Sequence, residues 1–325
     1  MARRSNRQQA APKPYDFVPI APLRPQDRCK PRGHERYHPD TVSGMLDAEL
    51  IVVTPLHVSS GRMRLREGRK IPLVRELARV YASSEDTRGR PCVPASTLKG
   101  VVRSVVEAVT RSCVRITRAR DHELPQGAAS CDKKERLCLA CRMFGALGFE
   151  GHVRFDDAVL RKGKVRIARM PPLYRPRSKT RNYYAGGTIK GRKFYKHGRT
   201  VTKAQTPVEI LTPESQLTFS LRFDNLTEGE VGVLLTALGL GKPPLTLKLG
   251  GGKPVCYGSL IVAQRSLKVW PSPKQLYTAY DVAPEAGDPD AYLREAKALL
   301  LPKQLKALAE IWAYDMQRQC PEGMY

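Results

Sequence analysis

The sequence predicts an α+β domain built in the order strand, helix, strand, strand, helix, strand. Three observations carry that expectation. Four separated segments alternate apolar and polar residues, two helical patterns fall between them, and no repeat of solenoid period is present.

Residues 1–42 are rich in Pro and Arg and lack periodicity apart from "YDFVPIAPL". They read as an arm that packs in places and meets a partner in others. From Ser43, "GMLDAELIVVTPLHVSSG" alternates and then turns apolar, as in a half-buried strand running into a glycine loop. A basic segment, "RMRLREGRKIPLVREL", and a short strand, "ARVYAS", come next. "VPASTLKGVVRSVVEAV" (Val93 to Val109) reads as an amphipathic helix capped by Ser96 or Thr97. Residues 113–145 are loop-like and hold four of the eight cysteines, and Gly151 to Leu160 forms another strand. Between Asp157 and Glu209 there is no acidic residue, against 15 Lys+Arg. Ser215 to Leu226 alternates as a strand. Thr227 then caps a helix, with Glu230 at its third position as in a capping box. "LTLKLGGGKPVCYGSLIVAQ" is strand, glycine loop, strand, and residues 271–325 form a mostly helical tail. The order is the βαββαβ of a ferredoxin-like or RRM-type core. The division expected is a 1–42 arm, a 43–265 domain with insertions at 113–145 and 161–206, and a 266–325 helical extension.

The hydrophobic fraction of 41% supports a sizeable core. The 56 Lys+Arg exceed the 31 Asp+Glu by 25, which calls for a polyanionic partner, either nucleic acid or an anionic membrane. No apolar run approaches the ~18 residues of a membrane span. The N-terminal "MARRSNRQQAAPKPYDF" lacks the apolar stretch of a secretory signal. A soluble cytoplasmic protein is expected, with its cysteines as metal ligands or free thiols.

Five features carry chemistry. At the helix start, free amides, the positive dipole end and Lys99 favour an anion, and Gly100 lets a phosphate approach, although a solvated lysine beside an ordinary cap is the plainer alternative. "LGGGKPVCYGS" offers Gly250, Gly251 and Gly252 before Lys253, with Tyr257 following. It lacks the Walker and Rossmann spacings, so it reads as an amide nest for a sugar-phosphate strand or as a flexible turn. "YRPRSKTRNYYAGGTIKGRKFYKHGR" (Tyr174 to Arg199) interleaves Tyr183, Tyr184 and Tyr195 with Arg181, Lys190 and Arg192, as single-strand grips do. "AGGT" can turn a long hairpin there. His122, Cys131, Cys138 and Cys141 form a His-x8-Cys-x6-Cys-x2-Cys series suited to structural zinc, with Cys113 the competing fourth ligand. His57 in "TPLHVSSG" is a weak acid/base candidate for RNA cleavage, its ordinary alternative being a packed structural histidine.

In this order these pieces resemble the RAMP superfamily, the RRM-like proteins of CRISPR systems. "TPLHVSSGR" resembles its "TPLHxGSG" strand and loop, "VPASTLKGVVR" its "IPGSSLKGxxR" helix start, "LCLACRMFG" the "CxxCxLFG" of type III members, and "LGGGKPVCYGSL" the "GGGKxxGxG" loop. "PYDFVPIAP" resembles the "PYNFVPL" start of one type III subset. The resemblance implies a backbone subunit of a type III CRISPR effector ribonucleoprotein, with guide RNA, target RNA and other Cas subunits as partners. It further implies a β-hairpin thumb within 161–206, which kinks the guide–target duplex, and a zinc-bearing 113–145 insertion. Guide phosphates would lie on Ser96, Thr97, Lys99, Gly100, Arg103 and Gly250 to Lys253. Target-cleaving members carry a loop aspartate that supports metal-dependent cleavage. Here "SSGRMRLREGRKIPLVRE" offers Glu67 and Glu76 but no Asp before Asp86. A non-cleaving copy is therefore expected, with Glu67 the weak catalytic candidate and Mg2+ required only if cleavage occurs. An RNA-cleaving enzyme of the same superfamily and an unrelated basic RNA-binding protein are the alternatives.

Overall fold

Alternating apolar residues place the main sheet. In the computed structural model, which describes residues 13–65, 73–83, 86, 88–171, 173, 181–200, 206–315 and 317–320, four strands build its centre: β1 (Val42–Val52), β2 (Ala158–Lys162), β3 (Gln216–Leu226) and β4 (Ser259–Val269). They lie side by side in the order β4-β1-β3-β2, each neighbouring pair antiparallel. Leu46, Ala48, Leu50 and Val52 of β1 turn inward, level with Leu217, Phe219, Leu221 and Phe223 of β3. On the other face, the Asp47 carboxylate accepts hydrogen bonds from Ser220 and Ser266, and Glu49 pairs with Arg265. Polar-out, apolar-in alternation thus fixes the register, because a one-residue slip would bury Asp47 and expose Leu46.

Helix α1 (Ala95–Val109) follows β1 in the order, and helix α2 (Glu228–Ala237) follows β3. Leu98, Val102, Val105, Val106 and Val109 form the buried stripe of α1, at the three-to-four-residue spacing of a helix face. Its many valines are modest helix formers, so packing rather than propensity holds this helix. The expected Ser96 or Thr97 cap is replaced. Pro94 is the N-cap, no side-chain cap bond is made, and the Ala95 N–H donates to Asp157 at 2.7 Å. Pro94 fixes the entry geometry and leaves the hydroxyls inside the first turn. The Thr227–Glu230 capping box forms as expected, with bonds of 3.2 and 3.0 Å.

The tail is helical at Pro273–Thr278, Pro289–Glu295 and Pro302–Ile311. The Gly151–Leu160 strand divides into Val153–Phe155 and β2. The basic segment after Ser59 forms strands Ser59–Leu65 and Leu73–Leu77, which join Thr206–Leu211 and Val165–Met170 in a separate four-stranded sheet. The 161–206 insertion is shared out between partners. Tyr184–Ala185 and Thr188–Ile189 make a short hairpin about Gly186 and Gly187, and Arg192–Tyr195 pairs antiparallel with the N-terminal strand Tyr15–Val18. Tyr174 lies outside the described residues, as does Glu67. One cysteine expectation is overturned. Cys256 and Cys320 form a disulfide, with Cα atoms 6.0 Å apart, because the tail returns beside the glycine loop across 64 residues of sequence.

Candidate nucleic-acid interface and metal centre

Three of the sequence-predicted features converge on one cleft of about 290 Å³. Helix α1 contributes Thr97, Gly100, Val101 and Ser104, and Arg192–Tyr195 contributes Lys193, Phe194 and Tyr195. Lys248, Leu249, Gly250 and Lys253 come from the segment before β4, and Trp312 closes the cleft from the tail. No lining residue is acidic, and three are lysines. A Cβ built on Gly100 meets nothing within 4 Å, so its absent side chain keeps this wall open rather than relieving an internal clash.

Phe194, Tyr195 and Trp312 are the aromatic residues of the lining, and the N-terminal strand packs a further aromatic cluster against Tyr195. Tyr15 packs against Tyr183 and Tyr195 at centroid distances of 6.0 and 6.1 Å, and Phe17 meets Tyr183 at 5.7 Å. The Lys193 ammonium lies 4.1 Å from the Tyr15 ring centroid and 4.7 Å from that of Tyr195, while donating to the Tyr183 hydroxyl at 3.1 Å. Burial, with Tyr183 beside it, pushes the Tyr15 phenol up to about 12.

The glycine loop is more rigid than a free turn. Gly251 donates its N–H to the His57 carbonyl at 2.7 Å, so only part of the expected amide nest remains available. Gly250 has φ +85°, and a Cβ there would stand 2.6 Å from the His57 carbonyl oxygen. His57 itself is buried, its Nδ1 2.7 Å from the Glu209 carbonyl, and burial lowers its pKa. That is the environment of a packed histidine supporting the loop.

Lys248 was not signalled by any motif. It is 3% exposed, donates to Ser259 Oγ at 3.2 Å, and has no carboxylate partner among the described residues. Burial, aided by nearby Lys253, pushes its pKa down to about 7. Burial also lowers Lys253. The available signal was positional: in "LTLKLGGG" Lys248 faces opposite Leu247 and Leu249 on a strand entering the loop. His197 beside it bridges Ser259 Oγ and the Thr246 carbonyl, and burial followed by Lys248 pushes it down to about 3.

Other sequence-predicted residues lie elsewhere. Tyr257 is 3% exposed and packs with Met170, Val208, Ile210 and Val255, its phenol pKa raised by burial. It belongs to the core. Gly252 is buried, whereas Lys190 and Ser96 are exposed, and Tyr184 and Lys99 are half-buried, all outside the cleft lining. Burial lowers the Lys99 pKa. Arg181 opens the short 3-10 turn Arg181–Tyr183. Arg103 and Arg192 are held internally: Arg103 donates to Glu107, the Gly145 carbonyl and Cys141 Sγ, and Arg192 to Glu107.

The cysteine series also comes together, with one substitution. The sulfurs of Cys113, Cys131, Cys138 and Cys141 lie within 4.8 Å of one another, and all four residues are buried. His122 is exposed on the 3-10 turn Asp121–Glu123 and stands apart from the group. Cys113 takes the fourth place because it follows directly on the end of α1, which packs on the short helix Leu139–Phe144 carrying Cys141. Sulfur separations of 3.5 and 3.6 Å match the roughly 3.8 Å edge of a tetrahedron with ~2.3 Å Zn–S bonds. The Cys113 and Cys138 amides donate to Cys138 and Cys131 sulfurs at 3.4 Å each. Mutual hydrogen bonding shifts the thiols against one another, lowering Cys131 and Cys138 and raising Cys113 and Cys141. Four soft, buried donors with amide support fit a closed structural zinc site.

An α+β fold, a lysine-lined cleft with an aromatic wall and a buried four-cysteine cluster together define a cationic protein with a metal-type structural centre. No helix among the described residues is long and apolar enough to cross a membrane. The sequence model of the RAMP superfamily matches residues 49–261, more than half of the 325-residue chain, and the chain belongs to that superfamily. Membership points to a CRISPR-associated, RNA-binding role. No curated protein matches the chain.

Proposed function

We propose that the chain is a guide-RNA-binding backbone subunit of a type III CRISPR-Cas ribonucleoprotein, built on a ferredoxin-like βαββαβ core and working beside other Cas subunits in the cytoplasm. The β4-β1-β3-β2 strand order supports that core. The convergence of α1, the glycine loop and the Lys193–Tyr195 strand on one acid-free cleft carries the RNA-binding reading. Lysines hold backbone phosphates, and the edge formed by Tyr183 and Tyr195 stacks a base. The hairpin about Gly186 and Gly187 is the thumb that kinks the guide–target duplex. The buried setting of His57 gives no support to acid/base cleavage by that residue, and scaffolding rather than cutting of RNA is the reading we favour, with Glu67 outside the described residues.

Lys253→Glu tests the assignment. Full-length protein should bind single-stranded RNA with little sequence preference and a steep salt slope. The variant should lose at least about tenfold in affinity and reduce the slope by about one. Equal binding and slope in both proteins would remove the cleft from the RNA path. Material isolated from the native host should carry a short RNA of uniform length and Cas subunits. Ribosomal RNA in their place would favour an unrelated RNA-binding role.

A further inference from the structure

Two lysines of the cleft lack a counter-charge. Among the described residues the Lys248 ammonium bonds only to Ser259 Oγ, and that side chain is almost wholly out of water. Lys253 is half-buried and near enough for the two charges to repel, and no carboxylate acts on either. The Nε1–H of Trp312, another lining residue, is buried without an acceptor. Folding has thus gathered two cations and a spare donor at one cleft and supplied no anion, an arrangement that costs stability until a ligand brings the missing charge.

We propose that the cleft takes the terminal phosphate monoester of an RNA strand in preference to a bridging phosphodiester, with Lys248 and Lys253 as its ligands, resting on the reading of the cleft as the RNA site. Size and shape favour an end. The volume of about 290 Å³ lies at the bottom of the roughly 300–1,000 Å³ range of small-ligand pockets, room for one nucleotide rather than a length of strand. A bridging phosphate carries a sugar on each side and needs a way in and a way out, whereas a terminal phosphate needs only one opening. Charge favours the same choice. A bridging phosphate carries about one negative charge, and a monoester about 1.5 to 2 near neutrality, with three acceptor oxygens. Val101, Phe194, Leu249 and Trp312 surround the lysines with apolar surface, which lowers the local dielectric and enlarges the difference. Both cations are already desolvated in the folded protein, so the dianion gains charge-assisted bonds without a further cost on the protein side.

The test uses full-length protein and one single-stranded RNA sequence in three forms: phosphorylated at the 5′ end, phosphorylated at the 3′ end, and with hydroxyls at both ends. At least one phosphorylated form should bind about tenfold more tightly than the hydroxyl form. Lys248→Met should bind all three alike. Adenosine 5′-monophosphate, which brings the same group without a strand, should compete only weakly. Equal affinity of the unaltered protein for the three RNAs would overturn the proposal while leaving the cleft assignment standing. So would an advantage that survives in Lys248→Met, because the end would then be held elsewhere. If that variant does not fold, Lys253→Glu decides in its place by the same comparison. Competition by the mononucleotide as strong as that of phosphorylated RNA would assign the cleft to a free nucleotide and overturn the strand-end reading. Failure of all three RNAs to bind would refute the cleft assignment and this proposal with it.

Discussion

Replacing Lys248 with Met should make the protein more stable while weakening its grip on RNA. The Lys248 ammonium is buried beside Lys253 and no carboxylate compensates it among the described residues, so folding pushes its pKa from 10.5 down to about 7. In the unfolded chain the lysine holds its proton up to about 10.5; in the folded chain it releases it near 7. The unfolded state therefore binds the extra proton between these limits, and stability rises with pH there, by up to about 1.4 kcal/mol per pH unit. Below pH 7 the full cost is present; above about 10 it has gone. Across pH 7 to 10 this single group contributes a rise of about 4 kcal/mol. Met removes the charge and retains most of the stem. Ser259 keeps its bond to His197, and His197, held at about 3, does not titrate in this window. Urea denaturation of both proteins at half-unit pH steps reads the effect. The wild-type midpoint should climb relative to that of Lys248→Met, and the variant should be the more stable near neutrality. Parallel profiles from pH 7 to 10 would refute the account of Lys248 as an unpaired buried cation. A phosphate in the cleft should restore the proton, so wild-type RNA binding near pH 8 should take up protons and that of the variant should not.

Other outcomes follow from the same geometry. Cys113→Ser should lower zinc stoichiometry and melt the 113–145 segment first, whereas His122→Ala should keep a full equivalent of metal, as measured by metal analysis and thermal unfolding. Gly250→Ala should destabilise the protein by about 1–3 kcal/mol, because a Cβ there meets the His57 carbonyl at 2.6 Å and φ is +85°; chemical denaturation checks this. Tyr257→Ala should cost about 3 kcal/mol or more through lost packing, while Tyr257→Phe should leave RNA affinity unchanged in a filter-binding assay.

What could be read from the sequence was local, and what could not was long-range. Strand alternation, the Thr227–Glu230 box and the stripe from Leu98 to Val109 each depend on neighbours a few residues apart, and each is present in the structure. The choice between His122 and Cys113 depended on where α1 ends in space, which spacing does not encode. Arg103, one helical turn beyond Lys99, was implied as a phosphate ligand by the resemblance of "VPASTLKGVVR" to the family's helix start. The same periodicity puts Glu107 one turn further on, and burial of that carboxylate claims the arginine. Tyr257 looked like an RNA contact beside the glycine loop, but a second small core reaches it from Val208 and Ile210. Lys248 carried no motif at all; its importance comes from what is missing around it.

Trp312 has a consequence for synthesis. Its indole meets Phe194 edge-on at 5.2 Å and forms one wall of the cleft, while the strand Arg192–Tyr195, which forms another, pairs with the early strand Tyr15–Val18. A growing polypeptide can therefore fold its central strands long before it owns a finished groove. Until residue 312 has been translated, the cleft that we propose as the RNA site lacks one of its walls.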